Sequence, residues 1–405
     1  MMNIKKNYIA ILLSIIINNF GDVLFDLFIV WKITEKSGNI LNAVYLIGSS
    51  IIFRAILALF IGVLIDKNNK KSMIVFSNIS SALIILIFAL SYNFVLNNIW
   101  LGVVFILIND INNEIFSRSY ITMTAELFGK ETFIKFQAKY TIVNRIITIA
   151  GSSIVGFLVA YISENIIFGI DIVTFLICAL LISTVNYNFK RREMKESDNQ
   201  AKNIIKNIVS DLKYVFSVMF KTSFILKFIL IMFILNFAYG YIPYILPVMI
   251  ANNATSSVLL GFIKSAVAIG EIIGLLLVSK FGEYVSSLFK ISMLGNAICM
   301  LILMVSKNYY IIILLFALYG ALDSITQPLF SYTITILDEN NRGKILGGID
   351  AIILLSPSIG MYFITKIMNI NIYIGYVALA IIFSIALIIV NYSKELKHII
   401  VKKDE

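Results

Sequence analysis

Histidine is almost missing from this chain: one in 405 residues, His398, set in a polar tail where it reads as solvated. The two cysteines, Cys178 and Cys299, both fall inside apolar runs, which leaves no disulfide framework and no metal-ligand spacing. Charge is also scarce, at 14% of residues, where soluble domains carry about a quarter. No phosphate-binding GxxxxGK[ST], no nucleophile elbow and no HExxH occurs, so neither an ATPase, a hydrolase nor a metalloprotease is expected, and no cofactor. Acids are outnumbered, 23 to 33, giving a net charge of +10. A nucleic-acid partner is not expected, because the lysines and arginines are dispersed between apolar runs and form no basic face.

What is abundant is apolar: 60% hydrophobic residues and a mean hydropathy of +0.93. The lipid bilayer is therefore the expected solvent. Isoleucine, asparagine and lysine are common enough to suggest compositional bias, so single asparagines are discounted as functional signals. A spanning helix needs about 20 mostly apolar residues. Twelve segments qualify: 8–33, 41–65, 72–92, 97–119, 138–161, 164–187, 222–247, 256–279, 287–306, 309–333, 345–367 and 370–392. Positive loops stay in the cytoplasm. Taken alternately, one side holds Lys5, Lys6, Lys67, Lys70, Lys71, Lys130, Lys135, Lys190, Arg191, Arg192, Lys280, Arg342, Lys344 and Lys394, whereas the other holds little beyond Lys36 and Lys307. Both termini are expected in the cytoplasm. The run after Lys6 is too long for a signal-peptide core, so no cleavable leader is expected.

One long polar break, 188–221, divides the segments six and six. Its second part carries Ile204, Ile208, Leu212, Val215 and Met219 at helical spacing among lysines, which suits an amphipathic helix on the inner leaflet. The expected organisation is a six-helix bundle over 1–189, a cytoplasmic linker over 190–221 and a second bundle with a short tail over 222–405. The halves echo each other. Asn19-Phe20-Gly21 returns as Asn236-Phe237-Ala238, Gly62-Val63-Leu64 as Gly274-Leu275-Leu276, and 151–156 as 356–360.

The stretch Gly62-Val63-Leu64-Ile65-Asp66-Lys67-Asn68-Asn69-Lys70-Lys71 joins the second and third segments. It resembles the signature loop of the major facilitator superfamily. Gly21-Asp22 followed by Trp31-Lys32-Ile33-Thr34, and Arg342-Gly343-Lys344-Ile345, are similar to its drug:proton antiporter branch, which includes macrolide efflux pumps. There are departures. The second-half copy of the loop has Val278 where Asp66 stands, and Thr124-Ala125-Glu126-Leu127 lacks the branch's usual proline. The resemblance implies an all-α membrane protein of twelve transmembrane helices in two bundles, with segments 1, 4, 7 and 10 lining a central cavity.

Ionisable groups inside spanning helices cost roughly 2.5–3.5 kcal/mol each and are functional candidates. Asp22, Asp26, Arg54, Asp110, Glu271 and Asp323 fall near mid-membrane. Glu114, Arg118 and Arg145 lie nearer the cytoplasmic ends, and Asp171 and Lys264 nearer the outer ends. Asp22 and Asp26 share a helical face, as do Asp110 and Glu114. Asp22, Asp26, Asp110, Glu114, Glu271 and Asp323 are the proton-coupling candidates. The competing reading is a static ion pair, with Arg54 or Arg145 neutralising an acid for folding. The resemblance implies a cytoplasmic gate of Gly62, Asp66, Lys67, Lys70 and Lys71, with Arg118, Arg342 and Gly343 as partners. Arg54, Asn236, Tyr239 and Tyr241 are candidates for the substrate cavity. Tyr239 and Tyr241 stay open between that role and an aromatic belt, to which Tyr244 is assigned. Pro243 and Pro247 should loosen the seventh segment.

The expected function is a proton-coupled secondary transporter, not an enzyme, exporting a small amphipathic compound such as a drug or macrolide. The alternatives are export of an endogenous metabolite such as a siderophore or peptide, and import of a nutrient. The expected partners are a small-molecule substrate, protons and the bilayer. The expected setting is a monomer in the plasma (bacterial inner) membrane.

Overall fold

A computed structural model describes residues 2–187, 223–281, 285–326 and 353–392. The linker, the polar tail, Arg342 and Gly343 lie outside the described residues, as do the side chains of Gly62, Asp66, Lys67 and Arg145.

The described residues form helices and no strand: α1 (Met2–Ser37), α2 (Leu41–Lys67), α3 (Lys70–Leu90), α4 (Tyr92–Asn97), α5 (Ile99–Tyr161), α6 (Glu164–Ser183), α7 (Ser223–Tyr241), α8 (Leu246–Asn253), α9 (Ser257–Phe281), α10 (Val285–Val305), α11 (Tyr309–Ser324), α12 (Leu355–Ile370) and α13 (Ile372–Tyr392). Hydrocarbon offers no hydrogen bonds, so a spanning backbone must satisfy itself. Among the described residues, eight helices are long and apolar enough to span, and Leu41–Leu57 and Tyr309–Ser324 are shorter apolar helices. Asparagine opens several of them. Asn69, Asn98, Asn308 and Asn371 each accept a backbone N–H in the first turn of α3, α5, α11 and α13.

Helix α3 shows why the bilayer is the solvent. Its buried face carries Ser77, Asn78 and Ser81, and its exposed face carries Phe76, Ile79, Leu83, Leu86, Ile87 and Leu90. The buried face also carries Ile74, Ala82, Ile85 and Phe88, but a contiguous greasy exterior over a half-polar interior is not the pattern of a water-soluble helix. Inside, Ser81 Oγ donates to Asn109 Oδ1 at 2.8 Å and Asn112 Nδ2 donates to Ser80 Oγ at 3.1 Å, joining α3 to α5.

Helix α5 extends over 63 residues, yet it is not straight. The rings of Tyr120 and Tyr140 are 6.1 Å apart, and those of Phe128 and Phe136 are 5.1 Å apart. On a straight helix, twenty residues at 1.5 Å each would separate the two tyrosines by about 30 Å. The chain therefore doubles back between Phe128 and Phe136. The expected loop between the fourth and fifth segments is a helical hairpin.

The contacts divide the chain into two compact units. The first comprises residues 1–193 with 248–265, and the second 194–247 with 266–405. In the first, α6 packs along α1 and α3, and α5 packs on α1, α2 and α3. In the second, α13 packs on α7, α10 and α12, and α11 on α10. Ser257 belongs to the first unit and donates to the Gly156 carbonyl at 3.1 Å. In the second unit α9 and α11 cross at backbone distance, because a Cβ on Gly270 or Gly274 would strike the Ala317 or Ala321 carbonyl. The seventh segment breaks at Ile242–Ile245, around Pro243, into α7 and α8. Proline lacks the N–H that a continuous helix needs there. Cys178 and Cys299 are free and buried.

Candidate functional site

In the first unit α1, α2 and α5 enclose a cavity of about 250 Å³. Asp22 and Asp26 line it, four residues apart on one face of α1, with Arg54 from α2. Asn18, Asn19, Asn113, Ser117, Phe116, Tyr120 and Tyr140 supply much of the remaining wall. Asn18 Nδ2 donates to Asp22 Oδ2 at 2.9 Å, and Asn19 Nδ2 donates to Asn144 Oδ1 at 2.7 Å. Asn18 Oδ1 and the Tyr120 hydroxyl are buried and find no partner among the described residues. The Phe116 and Tyr120 rings lie 6.0 Å apart at 18°, a stacked pair.

Arg54 gathers the acids. Its charge acts on Asp22, Asp26 and Asp110, and its Nε lies 3.8 Å from Glu114 Oε2. Glu114 is buried and also accepts from Arg118 Nε at 2.8 Å, one turn along α5. Arg118 thus faces Glu114, and Glu114 is held by two arginines. Asp110 is buried away from the cavity wall; Ser50 bonds its carboxyl, while its Oδ2 has no partner among the described residues. Lys264, in the 248–265 stretch of this unit, also acts on Asp26.

The second unit gathers a smaller polar group. Asp323 and Glu271 both act on the buried Tyr319, and Asp323 also acts on Tyr239. The Tyr239 and Tyr319 rings are 6.1 Å apart. Asn236 Nδ2 donates within its own helix, to the Met232 carbonyl at 2.8 Å. Tyr241 is 0% exposed in the core, whereas Tyr244 is 45% exposed, as an interfacial ring would be.

At the end of the first unit that holds the signature loop, Lys71 Nζ donates to the Val185 carbonyl at 2.8 Å. Asn7 and Asn186 bond reciprocally at 2.9 and 3.0 Å, and the Tyr187 hydroxyl donates to Glu126. The chain leaving α6 is thus pinned by α1, α3 and α5. Lys70 is buried.

Sequence reasoning missed the three cavity asparagines, because it discounted asparagine as compositional bias. The available signal was position: Asn18 is one turn before Asp22, on the same face. It also set Asp171 aside near the outer end of its segment. Asp171 lies 1% exposed against α1 at Gly21. Among the described residues, no cluster of three His, Cys, Asp or Glu could hold a metal ion.

A search of curated proteins returns no match to this sequence. Solved structures share its fold at low identity. The nucleoside transporter NupG matches with a TM-score of 0.72 at 12% identity, over 96% of this chain and 100% of that one. A D-xylose-proton symporter matches at 0.67 and 14%, over 98% of both chains. The human organic anion transporter MFSD10 matches at 0.65 and 12%, over 95% and 99%. The sequence profile of the Major Facilitator Superfamily matches residues 7–291, well over half the chain. With its multi-pass apolar helices, this chain belongs to the Major Facilitator Superfamily and is a transporter rather than an enzyme.

Proposed function

We propose that this chain is a proton-coupled secondary transporter that exports a small cationic or amphipathic compound across the plasma membrane by alternating access. One observation carries the reading: Asp22 and Asp26 share a helix face and line one cavity with Arg54. Facing an acidic exterior, the acids take up protons and the cavity lets a cationic cargo go. Facing the cytoplasm, they lose the protons and attract the next cargo. Arg54 competes with the cargo for the acids, while Glu114, which two arginines hold, serves as its alternative partner. The unpartnered Asn18 Oδ1 and Tyr120 hydroxyl offer hydrogen bonds, and the Phe116–Tyr120 pair offers a flat apolar wall. The protein acts as a monomer.

The asparagine-rich wall favours a second reading, uptake of a polar nutrient. Asn18, Asn19 and Asn113 suit a solute rich in hydroxyl or amide groups. Proteins of the same fold include transporters for nucleosides and for xylose with protons.

The test is transport by purified protein in liposomes under an imposed pH gradient, over a panel of dyes, antibiotics, nucleosides and sugars, with and without an uncoupler. Uphill, uncoupler-sensitive export of an amphipathic compound is expected, and uptake of a sugar or nucleoside alone selects the second reading. Asp22→Asn and Asp110→Asn should each abolish uphill transport. If both variants still pump with unchanged pH dependence, neither acid carries the proton, and Glu114, Glu271 and Asp323 take their place as candidates.

A further inference from the structure

Behind the cavity wall the first unit holds a second, narrower pocket, enclosed by α1, α3, α5 and α6. Asn18, Asn113 and Phe116 line both, so the two adjoin there. Ser77, Asn78 and Ser81 of α3 face Asn18 across the pocket, with Asn112 of α5 beside them. Asn18, Ser77, Asn78 and Ser81 are each at most 3% exposed. No water-sized sphere fits among them.

The hydrogens of these groups are already engaged. Asn18 Nδ2 donates to Asp22 Oδ2 at 2.9 Å, and Asn78 Nδ2 to the Ile74 carbonyl at 2.7 Å. An ionised carboxylate and a carbonyl only accept, which fixes the orientation of both amides. Their Oδ1 atoms are therefore acceptors, and neither has a partner among the described residues. Ser77 Oγ donates to the Ile74 carbonyl at 2.9 Å, and Ser81 Oγ to Asn109 Oδ1 at 2.8 Å. Each hydroxyl keeps lone pairs and has no second hydrogen to give. Asn112 Nδ2 is likewise engaged, with Ser80 Oγ at 3.1 Å. Buried acceptors without a donor are costly and call for a hydrogen or a cation. Water could donate, but it is too large for this pocket. Sodium stripped of its waters is smaller than a water molecule, and protein oxygens can replace its hydration shell. A divalent ion would want carboxylate ligands, and this wall has none. Donation from Asn18 to the Asp22 carboxylate also polarises the amide, which makes Oδ1 more negative.

We propose that Asn18 Oδ1, Asn78 Oδ1 and the Ser77 and Ser81 hydroxyl oxygens form a site for a dehydrated sodium ion beside the transport cavity. The ion enters from the cavity, past Asn18 and Phe116. Asn18 joins the two sites. Its nitrogen donates to Asp22, and its oxygen has two lone pairs, one for sodium and one for cargo. Sodium in the pocket pins this side chain and so holds the donor to Asp22 in place. The site depends neither on proton coupling nor on the direction in which cargo moves.

The test is thermal unfolding of the purified full-length protein in detergent, titrated with sodium chloride against potassium and choline chloride at constant ionic strength. Sodium alone should raise the unfolding temperature, and the rise should saturate. Asn78→Leu keeps the volume and removes the oxygen, and it should increase the sodium needed by about tenfold or more. The shift that sodium causes, rather than the starting stability, separates a lost ligand from ordinary destabilisation. If Asn78→Leu fails to insert, Ser77→Ala combined with Ser81→Ala takes its place and must weaken the sodium response in the same way. No sodium response in the wild type overturns the inference. So does a rise that potassium or choline matches, which is an effect of ionic strength. A sodium response that Asn78→Leu, or the paired serine variant in its stead, leaves unchanged puts the ion elsewhere and overturns it too.

Discussion

Gly21 illustrates how much a single residue decides here. An alanine methyl at this position would overlap Thr174 Oγ1 and crowd Asp171 Oδ1. Overpacking of this kind typically costs about 1–3 kcal/mol. Gly21→Ala should therefore lower the unfolding temperature of the purified protein and reduce transport. Adding Thr174→Ala, which removes the hydroxyl that the methyl would strike, should recover part of both. A fully stable Gly21→Ala single variant would count against the close α1–α6 contact. The sequence shows Gly21-Asp22 as a motif but not what presses on the glycine, because the partner lies 150 residues away on another helix. The intramembrane acids are legible because hydrocarbon makes any charge conspicuous. The asparagines are not, since a neutral amide in an asparagine-rich chain carries no such contrast.

At the scale of elements, hydropathy finds the spans because each helix must meet lipid with apolar side chains. It does not find the form of the connections. The fold-back inside α5 is marked by Lys130 and Lys135 in the break between the fourth and fifth segments; its helical form is not, and Phe128, Phe133 and Phe136 pack there into one cluster with Ile11, Ile74 and Cys178. Cysteines introduced at Tyr120→Cys and Tyr140→Cys should be bridged by a short bifunctional reagent in native membranes. Failure to bridge, in a protein that still inserts and transports, would show two separate arms. The break after Tyr241 was readable from Pro243, because a missing N–H is a local fact. Side-chain partners at the cytoplasmic ends are not local. Lys71, a candidate for the gate, donates to the Val185 carbonyl at the end of α6.

At the scale of the molecule, the Lys/Arg asymmetry makes a firm expectation. A reporter fused after Lys190 should be cytoplasmic and one inserted at Asn97 external. Both on one side would rule out the topology. The gate is a second expectation at this scale. Asp66→Asn, at equal expression, should reduce transport while leaving insertion unchanged, and normal transport by that variant would remove the signature loop from the mechanism. The repeat of six segments and six is an expectation from the sequence, in which each half would bury the same kind of bundle. The packing of α6 on α3 in the first unit is matched by that of α13 on α10 in the second. The cargo is not legible at this scale, since one fold serves nucleosides, xylose and organic anions.

Both native cysteines are sealed in the interior, Cys178 at 0% and Cys299 at 1% exposure. To a membrane-impermeant maleimide the wild-type protein is already blank. Any cysteine placed on a loop or along the cavity wall will be the one that labels, with no background to subtract. Fluorophores or spin labels can thus be set in the native sequence, one pair at a time, to follow the transport cycle in distances.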